Sequence, residues 1–350
     1  MIKTVIGLDV GHSRVKVSVA NARDPGARKE LSFPTLVSAW QQFNDAEASR
    51  RAEADTVSVD EKRYFVGNTV LLQDNPQAFV GVHFDWFEKM PTQYSALTKA
   101  AFNKARPFID QGSGEIIVVA GLPAQATKEH RELVKGMTAK HIQPQMVFGE
   151  TLKVLINSQA NAPIFHMLFH ENGAFNPDFR KENATVQKEI DGEIHEKEVM
   201  ASTFGVIEVG HLTTDYTILA GLVGIENATT STSGVFKAFE LLQKELRNKG
   251  LSSDLGSVSD ALIEKTLDGV DVSNIVANAC ANLIQETITT AKEAFSNRRL
   301  DGILVAGGGA AIVFPAIQKE FAKAQLIKKS RFAVAEGYVR RGLNKIHEAA

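Results

Sequence analysis

The sequence has little cysteine, no long apolar run and no excess of charge of either sign. Its 350 residues include one cysteine, Cys280, which excludes an internal disulfide framework and a four-cysteine zinc site. No apolar run reaches the roughly 18–20 residues that a membrane-spanning helix needs. The first apolar stretch is interrupted by Asp9, unlike the core of a signal peptide. We therefore expect a cytoplasmic protein that has no leader and does not enter a membrane.

The charges are balanced, with 39 Lys and Arg against 41 Asp and Glu and a formal net charge of −2. Such a chain lacks the basic surface with which histone-like proteins neutralise DNA phosphates. We therefore expect no strong direct binding to DNA. The length exceeds what one small core needs and suits two domains, or one domain with a large insertion.

Two strand–turn–strand segments lie about 200 residues apart, a spacing that indicates two similar domains. In the first, residues 4–10 and 15–20 flank a turn at Gly11, and in the second, residues 204–210 and 217–221 flank a turn after Gly210. Each turn follows an acidic residue, Asp9 or Glu208. Short β-branched runs with a glycine turn between them are typical of β-hairpins.

Other segments have clear local patterns. Apolar spacing predicts helices over 91–108, 127–137 with Thr127 as N-cap, 273–298 and from 310 onwards. Continuous apolar runs predict strands over 64–67, 115–120 and 302–306. Residues 23–30 are interpreted as a loop. Residues 171–200 are interpreted as an excursion from the core, either a hairpin turning at Asp191-Gly192 or a solvated loop.

Glycine turns that follow strands allow backbone N–H groups to approach phosphate oxygens. None of the turns here matches a Walker loop or a dinucleotide fingerprint. As a set, however, they resemble the actin and sugar-kinase superfamily. Asp9–Lys16 is similar to its first phosphate loop, Glu208–Asp215 to its second, and Leu304–Ala311 to its adenosine motif.

Within that superfamily the chain most resembles the ParM/StbA family, the bacterial actins of plasmid segregation. The similarity extends from Ile6 to about Leu343 and includes four further segments: Val118–Pro123, Asn157–Pro163, Ser233–Val235 and Ala335–Tyr338. It implies an α/β actin-like ATPase fold of two similar domains. Each would have a mixed five-stranded sheet flanked by helices, with the nucleotide in the cleft between them.

The resemblance also implies domain bounds and hinges. Domain I would cover residues 1–160 with a C-terminal return at 331–350, and domain II would cover 161–330. The chain would cross between the domains near 157–163 and near 335–338, and these segments would act as hinges on nucleotide binding.

The same resemblance assigns site residues. Asp9 and Glu208 would hold Mg²⁺ through waters, Asp215 would complete the acidic cluster, and Gln159 would orient the attacking water. The implied catalytic residues are Gln159, Asp9 and Glu208. The implied nucleotide-binding residues are Gly11, His12, Ser13, Lys16, Gly210, His211, Thr213, Thr214, Asp215, Gly234, Gly307, Gly308, Gly309 and Ala310.

Some positions depart from the family pattern. Glu208 replaces the usual Asp of the second phosphate loop, and His211 and Leu212 replace smaller residues. Ala162-Pro163 stands where the family tends to have Gly-Ala. These differences bear on metal placement and hydrolysis rate rather than on fold.

The implied function is an ATPase that polymerises with ATP and Mg²⁺, with GTP as the alternative nucleotide. Its partners would be further copies of itself and a ParR-type adaptor bound to a centromere-like site, through which it would segregate plasmid or similar DNA. Two alternatives have the same fold. One is a metabolite kinase, although the single Cys280 does not suit the cysteine-rich zinc site of some sugar kinases. The other is a nucleotide switch that does not polymerise.

Overall fold

The computed structural model describes residues 3–72, 92–110, 112, 114–124, 126–176, 202–296 and 298–348. The chain divides into two compact units. The first consists of Met1–Glu182 and Phe332–Ala350, and the second of Asn183–Arg331.

The first unit is built on a five-stranded sheet that is partly parallel and partly antiparallel. Its strands, with those of a smaller three-stranded sheet, are β1 Lys3–Val10, β2 Arg14–Asn21, β3 Asp24–Pro34, β4 Val37–Ala39, β5 Thr56–Val59, β6 Lys62–Val66, β7 Glu115–Leu122 and β8 Thr151–Ser158. The large sheet has the order β3-β2-β1-β7-β8, and the small sheet has the order β4-β6-β5. Strands β1, β7 and β8 are parallel, so their carboxyl ends share one edge.

The second unit repeats this plan. Its strands are β9 Thr203–Val209, β10 Thr213–Ala220, β11 Val223–Ser233, β12 Thr266–Leu267, β13 Val270–Asp271, β14 Gly302–Ala306 and β15 Ala324–Leu326. The five-stranded sheet has the order β11-β10-β9-β14-β15, which matches the first sheet strand for strand. This confirms the prediction of two similar mixed sheets, and β12 and β13 form a separate hairpin.

Helices cover the sheets. They are α1 Ala46–Glu53, α2 Thr92–Ala105, α3 Lys128–Ile142, α4 Ala162–Leu168, α5 Phe236–Asn248, α6 Leu255–Glu264, α7 Ser273–Phe295, α8 Ala310–Glu320 and α9 Ala333–His347. In the first unit, α2 and α3 share a core with one face of the sheet, including Leu97, Val118 and Ile142. In the second unit, α5, α7 and α8 contribute to an equivalent core around Ile207 and Val305.

Helix α9 packs on the opposite face of the first sheet, and glycines allow the close approach. A methyl group on Gly7 would lie 1.9 Å from the Ala335 carbonyl oxygen, and one on Gly121 would lie 1.5 Å from the Tyr338 hydroxyl. Because side chains alternate along a strand, Asp9 points to the same face as Gly7. The side chain of Asp9 is therefore on the side of the sheet that α9 covers.

The interpretation of residues 23–30 as a loop was wrong for all but Arg23, because residues 24–30 lie in strand β3. Among the described strands it pairs with β2 alone, at the edge of the sheet, where Pro25 and polar side chains are tolerated. Arg28 also fixes the strand to α9, since its guanidinium contacts the Glu336 carboxylate and both side chains are buried. The pairing with β2 and the contact with Glu336 produce no local sequence pattern from which a strand could be predicted.

Most predicted helices and strands are present. The Thr127 side chain accepts a hydrogen bond from the His130 N–H, which confirms Thr127 as the N-cap of α3. Helix α7 follows the predicted amphipathic stretch, and α8 begins at Ala310 as expected. The predicted turn at Asp191-Gly192 lies outside the described residues. Within the described ranges, none of the helices has the length and apolar character needed to cross a membrane.

Candidate functional site

Loop 1, Gly11–Ser13, joins β1 to β2 and is closed by a hydrogen bond from the Gly11 N–H to the Arg14 carbonyl at 3.3 Å. Thr35 is fully buried, lies directly after β3 and forms hydrogen bonds with loop 1. Its hydroxyl donates to the Gly11 carbonyl at 2.6 Å, and its N–H donates to the Ser13 carbonyl at 2.9 Å. Because a trans peptide places its N–H opposite its carbonyl, the N–H of His12 points away from Thr35.

An ion pair lies just before this loop. Asp9 and Lys16 are register partners on β1 and β2, and the Lys16 Nζ donates to the Asp9 Oδ2 at 3.0 Å. The Asp9 side chain is only 4% exposed, so its charge needs the nearby ammonium. The structure thus brings two of the predicted site residues into direct contact.

Loop 2, Gly210–Leu212, joins β9 to β10 in the same way. The Gly210 N–H donates to the Thr213 carbonyl at 2.9 Å, as Gly11 does to Arg14. Glu208 and Asp215 are register partners, so they occupy the places that Asp9 and Lys16 have in the first unit. The second unit therefore presents two carboxylates where the first presents an ion pair.

The side chains after loop 2 have different surroundings. The Asp215 carboxylate accepts hydrogen bonds from the Thr213 hydroxyl at 3.1 Å and from the Ser231 hydroxyl. Thr214 is fully buried and its hydroxyl donates to the Ser233 carbonyl at 3.1 Å. The hydroxyl of Thr214 therefore stabilises the β10–β11 pair, and the predicted contact of Thr214 with a nucleotide stays a prediction.

The start of α5 holds loop 2 through the backbone. The N–H groups of Gly234, Val235 and Phe236 donate to the carbonyls of Leu212, Gly210 and His211 at 2.8, 3.1 and 2.9 Å. A methyl group on Gly234 would lie 2.5 Å from the His211 carbonyl oxygen, so only glycine fits there. Since the three carbonyls point to α5, the N–H groups that follow them point away from it. Such an array of N–H groups is a typical anion site.

His211 also contacts this helix through its side chain. Its ring meets the Phe236 ring edge-on, with 5.2 Å between centroids and 64° between planes. Phe236 is 39% exposed, so the pair forms an aromatic surface beside loop 2.

Loop 3, Gly307–Gly309, joins β14 to α8 and rests on the end of β9. The Gly309 N–H donates to the Val209 carbonyl at 3.0 Å. Gly307 has a φ of +97°, and a methyl group there would lie 2.4 Å from the Val209 carbonyl oxygen. A methyl group on Gly308, in contrast, would meet no heavy atom within 4 Å among the described residues. Loop 3 therefore packs on Val209, the residue directly before loop 2, with open space beside Gly308 among the described residues and the buried Ala310 beginning α8.

Gln159 begins a short 3-10 turn, Gln159–Asn161, directly after β8. It lies at the same edge of the first sheet as loop 1, two strand spacings or about 10 Å away. A methyl group on Gly337 would lie 2.2 Å from the Ala162 carbonyl oxygen, so α4 and α9 are in direct contact. Segments 157–163 and 335–338 both belong to the first unit.

The described residues contain no group of three or more His, Cys, Asp or Glu side chains placed to hold a metal ion. Direct ligation by such a group is not required for Mg²⁺, which usually keeps several waters and uses one or two carboxylates. The metal role of Asp9, Glu208 and Asp215 stays a prediction.

Two residues that contact these loops were not predicted as site residues from the sequence. Thr35 and Phe236 contact loops 1 and 2 from positions directly after β3 and just after β11. The internal repeat could have located Thr35, because it follows the third strand of its sheet as Gly234 does. That signal depends on knowing that residues 24–34 form a strand.

In a comparison with protein families, residues 7–162 fit the model described as the N-terminal domain of actin-like proteins. A comparison with curated protein sequences gave no match.

Solved structures of actin homologues are similar over nearly the whole chain. A non-polymerisable quadruple mutant of pCBH ParM has a TM-score of 0.64 and 17% identity, covering 97% of this chain and 99% of its own. Bacillus thuringiensis ParM with ATP has a TM-score of 0.64 and 15% identity, covering 99% and 100%. The MamK double helical filament has a TM-score of 0.61 and 16% identity, covering 97% and 98%.

These findings confirm the fold class and the resemblance predicted from the three loops. Residues 7–162 therefore match the N-terminal domain of actin-like proteins, and the chain has the actin-like fold over nearly its whole length.

Proposed function

We propose that this protein is an actin-like ATPase that assembles into filaments with Mg²⁺ and ATP and segregates plasmid or similar DNA through a DNA-bound adaptor. The observation that carries the proposal is the repeated loop. The same glycine turn follows the first strand of both sheets, and in the second unit a third glycine loop packs on Val209, the residue directly before that turn.

The loops suit a nucleotide. The outward N–H groups of loops 1 and 2 would bind phosphate oxygens, and Lys16 would contribute a positive charge. The open space at Gly308 would receive part of the nucleotide, since a side chain at that position would fill it. Bound Mg²⁺ would neutralise phosphate charge, with Asp9, Glu208 and Asp215 as the carboxylates that would hold it. Gln159 would orient the attacking water, and GTP is the alternative nucleotide.

Self-assembly is supported by the structural relatives. One is named as a non-polymerisable mutant of a ParM, and another is a double helical filament. Head-to-tail contacts that do not close generate such filaments. The net charge of −2 supplies little affinity for DNA phosphates, which is why we assign DNA binding to a ParR-type adaptor.

Sedimentation tests the proposal. Purified protein should pellet with Mg-ATP to a greater extent than without nucleotide, over a range of protein concentrations. Nucleotide binding without a pellet would identify a nucleotide switch instead, and sugar-dependent release of ADP would identify a metabolite kinase.

Binding at loop 3 can be tested with a matched pair of variants. Gly308→Ala should lower nucleotide affinity at least about fivefold, because its methyl group would enter the space that the nucleotide needs. Gly136→Ala is the control, since a methyl group on this exposed position of α3 also meets nothing within 4 Å among the described residues. Equal affinities in both variants would place the nucleotide elsewhere.

A further inference from the structure

Thr35 connects two parts of the first unit that are distant in sequence. Its hydroxyl and its N–H hold the Gly11 and Ser13 carbonyls of loop 1 at 2.6 and 2.9 Å. The residue is fully buried, so water does not compete for these hydrogen bonds. One residue therefore fixes both carbonyls and, with them, the direction of the N–H groups that follow.

In the second unit, the carbonyls of the equivalent loop are held in a different way. Three successive backbone N–H groups, from Gly234 to Phe236, hold the carbonyls of loop 2. In the first unit, one of the corresponding bonds comes from a side chain. The carbonyl of the Gly11–His12 peptide is thus held by a side-chain hydroxyl, which a substitution can remove.

Thr35 is in turn anchored to the small sheet. The next residue, Leu36, belongs to the cluster with Phe65 and Val70, and its carbonyl accepts a hydrogen bond from the Gly67 N–H at 2.9 Å. Strand β4 begins at Val37. A displacement of the small sheet would therefore move Thr35, and a change at loop 1 would reach the small sheet by the same route.

We propose that Thr35 is a positioning residue for phosphate binding at loop 1 and couples the occupancy of that loop to the small sheet β4-β6-β5. The identity of the ligand rests on the proposed function, but the coupling rests on these contacts. Without the hydroxyl, the Gly11 carbonyl loses a partner and the His12 N–H loses its fixed direction. Phosphate would then bind to a loop that must first be ordered.

Three variants test the positioning role. Thr35→Val keeps the shape and removes the hydroxyl, and should weaken Mg-ATP binding about three- to tenfold, the equivalent of one hydrogen bond. Thr35→Ser restores the hydroxyl and should restore affinity. Thr4→Val is the control, because Thr4 is equally buried and its hydroxyl donates to Asn21 at 2.8 Å at the far end of β1. It should lower thermal stability without changing affinity.

The coupling can be measured through Trp40. This residue follows β4, is 39% exposed, and lies under the Arg63 guanidinium at 4.4 Å from the ring centroid. With Trp86 replaced by Phe, Trp40 is the sole tryptophan of the chain. Its fluorescence should change when Mg-ATP binds, and the change should be smaller in Thr35→Val at saturating nucleotide.

The outcomes separate the two proposals. If the wild type binds no nucleotide, the proposed function fails and the role of Thr35 fails with it. If the wild type binds nucleotide and Thr35→Val matches it in affinity and in fluorescence change, only the inference about Thr35 is overturned. A loss of affinity that Thr35→Ser does not restore, or that Thr4→Val reproduces, would also overturn it.

Discussion

Removing the Glu336 carboxylate should destabilise the first unit far more than removing a surface carboxylate. The Arg28 and Glu336 side chains are 4% and 2% exposed, and the Ser18 hydroxyl donates to the same Glu336 oxygen at 3.1 Å. Glu336→Leu would leave a buried guanidinium without its counter-charge. Loss of one partner of a buried pair costs about 3–5 kcal/mol, and we expect a cost in this range.

A double-mutant cycle gives the sharpest form of this test. Arg28→Met should cost a similar amount, and the combined variant should cost less than the sum, because it leaves neither charge buried alone. Glu47→Gln is the control, since the Arg51–Glu47 pair on α1 is 71% and 57% exposed and such pairs contribute about 0.2–0.5 kcal/mol. Urea unfolding of the full chain measures all four. If Glu336→Leu costs no more than Glu47→Gln, the pair does not fasten β3 to α9.

Three further predictions follow from the site and its surroundings. Gly234→Ala should lower stability by about 1–3 kcal/mol and weaken nucleotide binding, because its methyl group displaces loop 2; an unchanged melting temperature would contradict this. Gln159→Ala should slow phosphate release, raising the barrier by about 1–3 kcal/mol, and keep ATP affinity, whereas Asp9→Ala should weaken Mg²⁺ and nucleotide binding together. A wild-type rate of release in the Gln159 variant would assign the water to another residue. Burial lowers the pKa of His141, so the unfolded chain takes up a proton first as the pH falls below about 6.5. Stability should therefore fall from pH 7.5 to 5.5, and less so in His141→Gln; equal pH dependence in both proteins would refute this.

The parts of the fold that the sequence predicts are those with local causes. Strands β1, β7, β9 and β14 are buried apolar runs that end at glycine or proline turns. Helix α7 has a continuous apolar stripe, and α3 begins at a capping threonine. Each of these signals lies within about one element length of sequence.

The parts that were missed depend on distant contacts. Strand β3 has few buried residues and is held at the edge by β2 and by Arg28. Helix α1 and strands β4 and β5 are short and partly exposed, and a small cluster around Phe65 organises this region. No local pattern distinguishes such segments from loops.

The site, like the fold, has features that a local pattern predicts and features that depend on distant contacts. All three loops could be predicted because each has glycine directly after an apolar strand. Gly307 requires glycine because its own φ is positive, and Gly210 requires glycine because a methyl group there would meet the Thr213 carbonyl, three residues away. Thr35 was missed because the carbonyl that it binds is 24 positions away. Phe236 was missed because α5 meets loop 2 only after β10 and β11 have formed.

The repeated loop has diverged in its charges, and this divergence has an electrostatic consequence. Asp9 faces Lys16 across β1 and β2, so the first unit neutralises its own buried carboxylate. Glu208 faces Asp215 at the equivalent register positions, and like charges directly opposite each other in a sheet are destabilising. Hydrogen bonds from Thr213 and Ser231 offset part of this repulsion at Asp215. The two units therefore differ in charge at equivalent positions of the repeat, with an ion pair in the first and two carboxylates in the second.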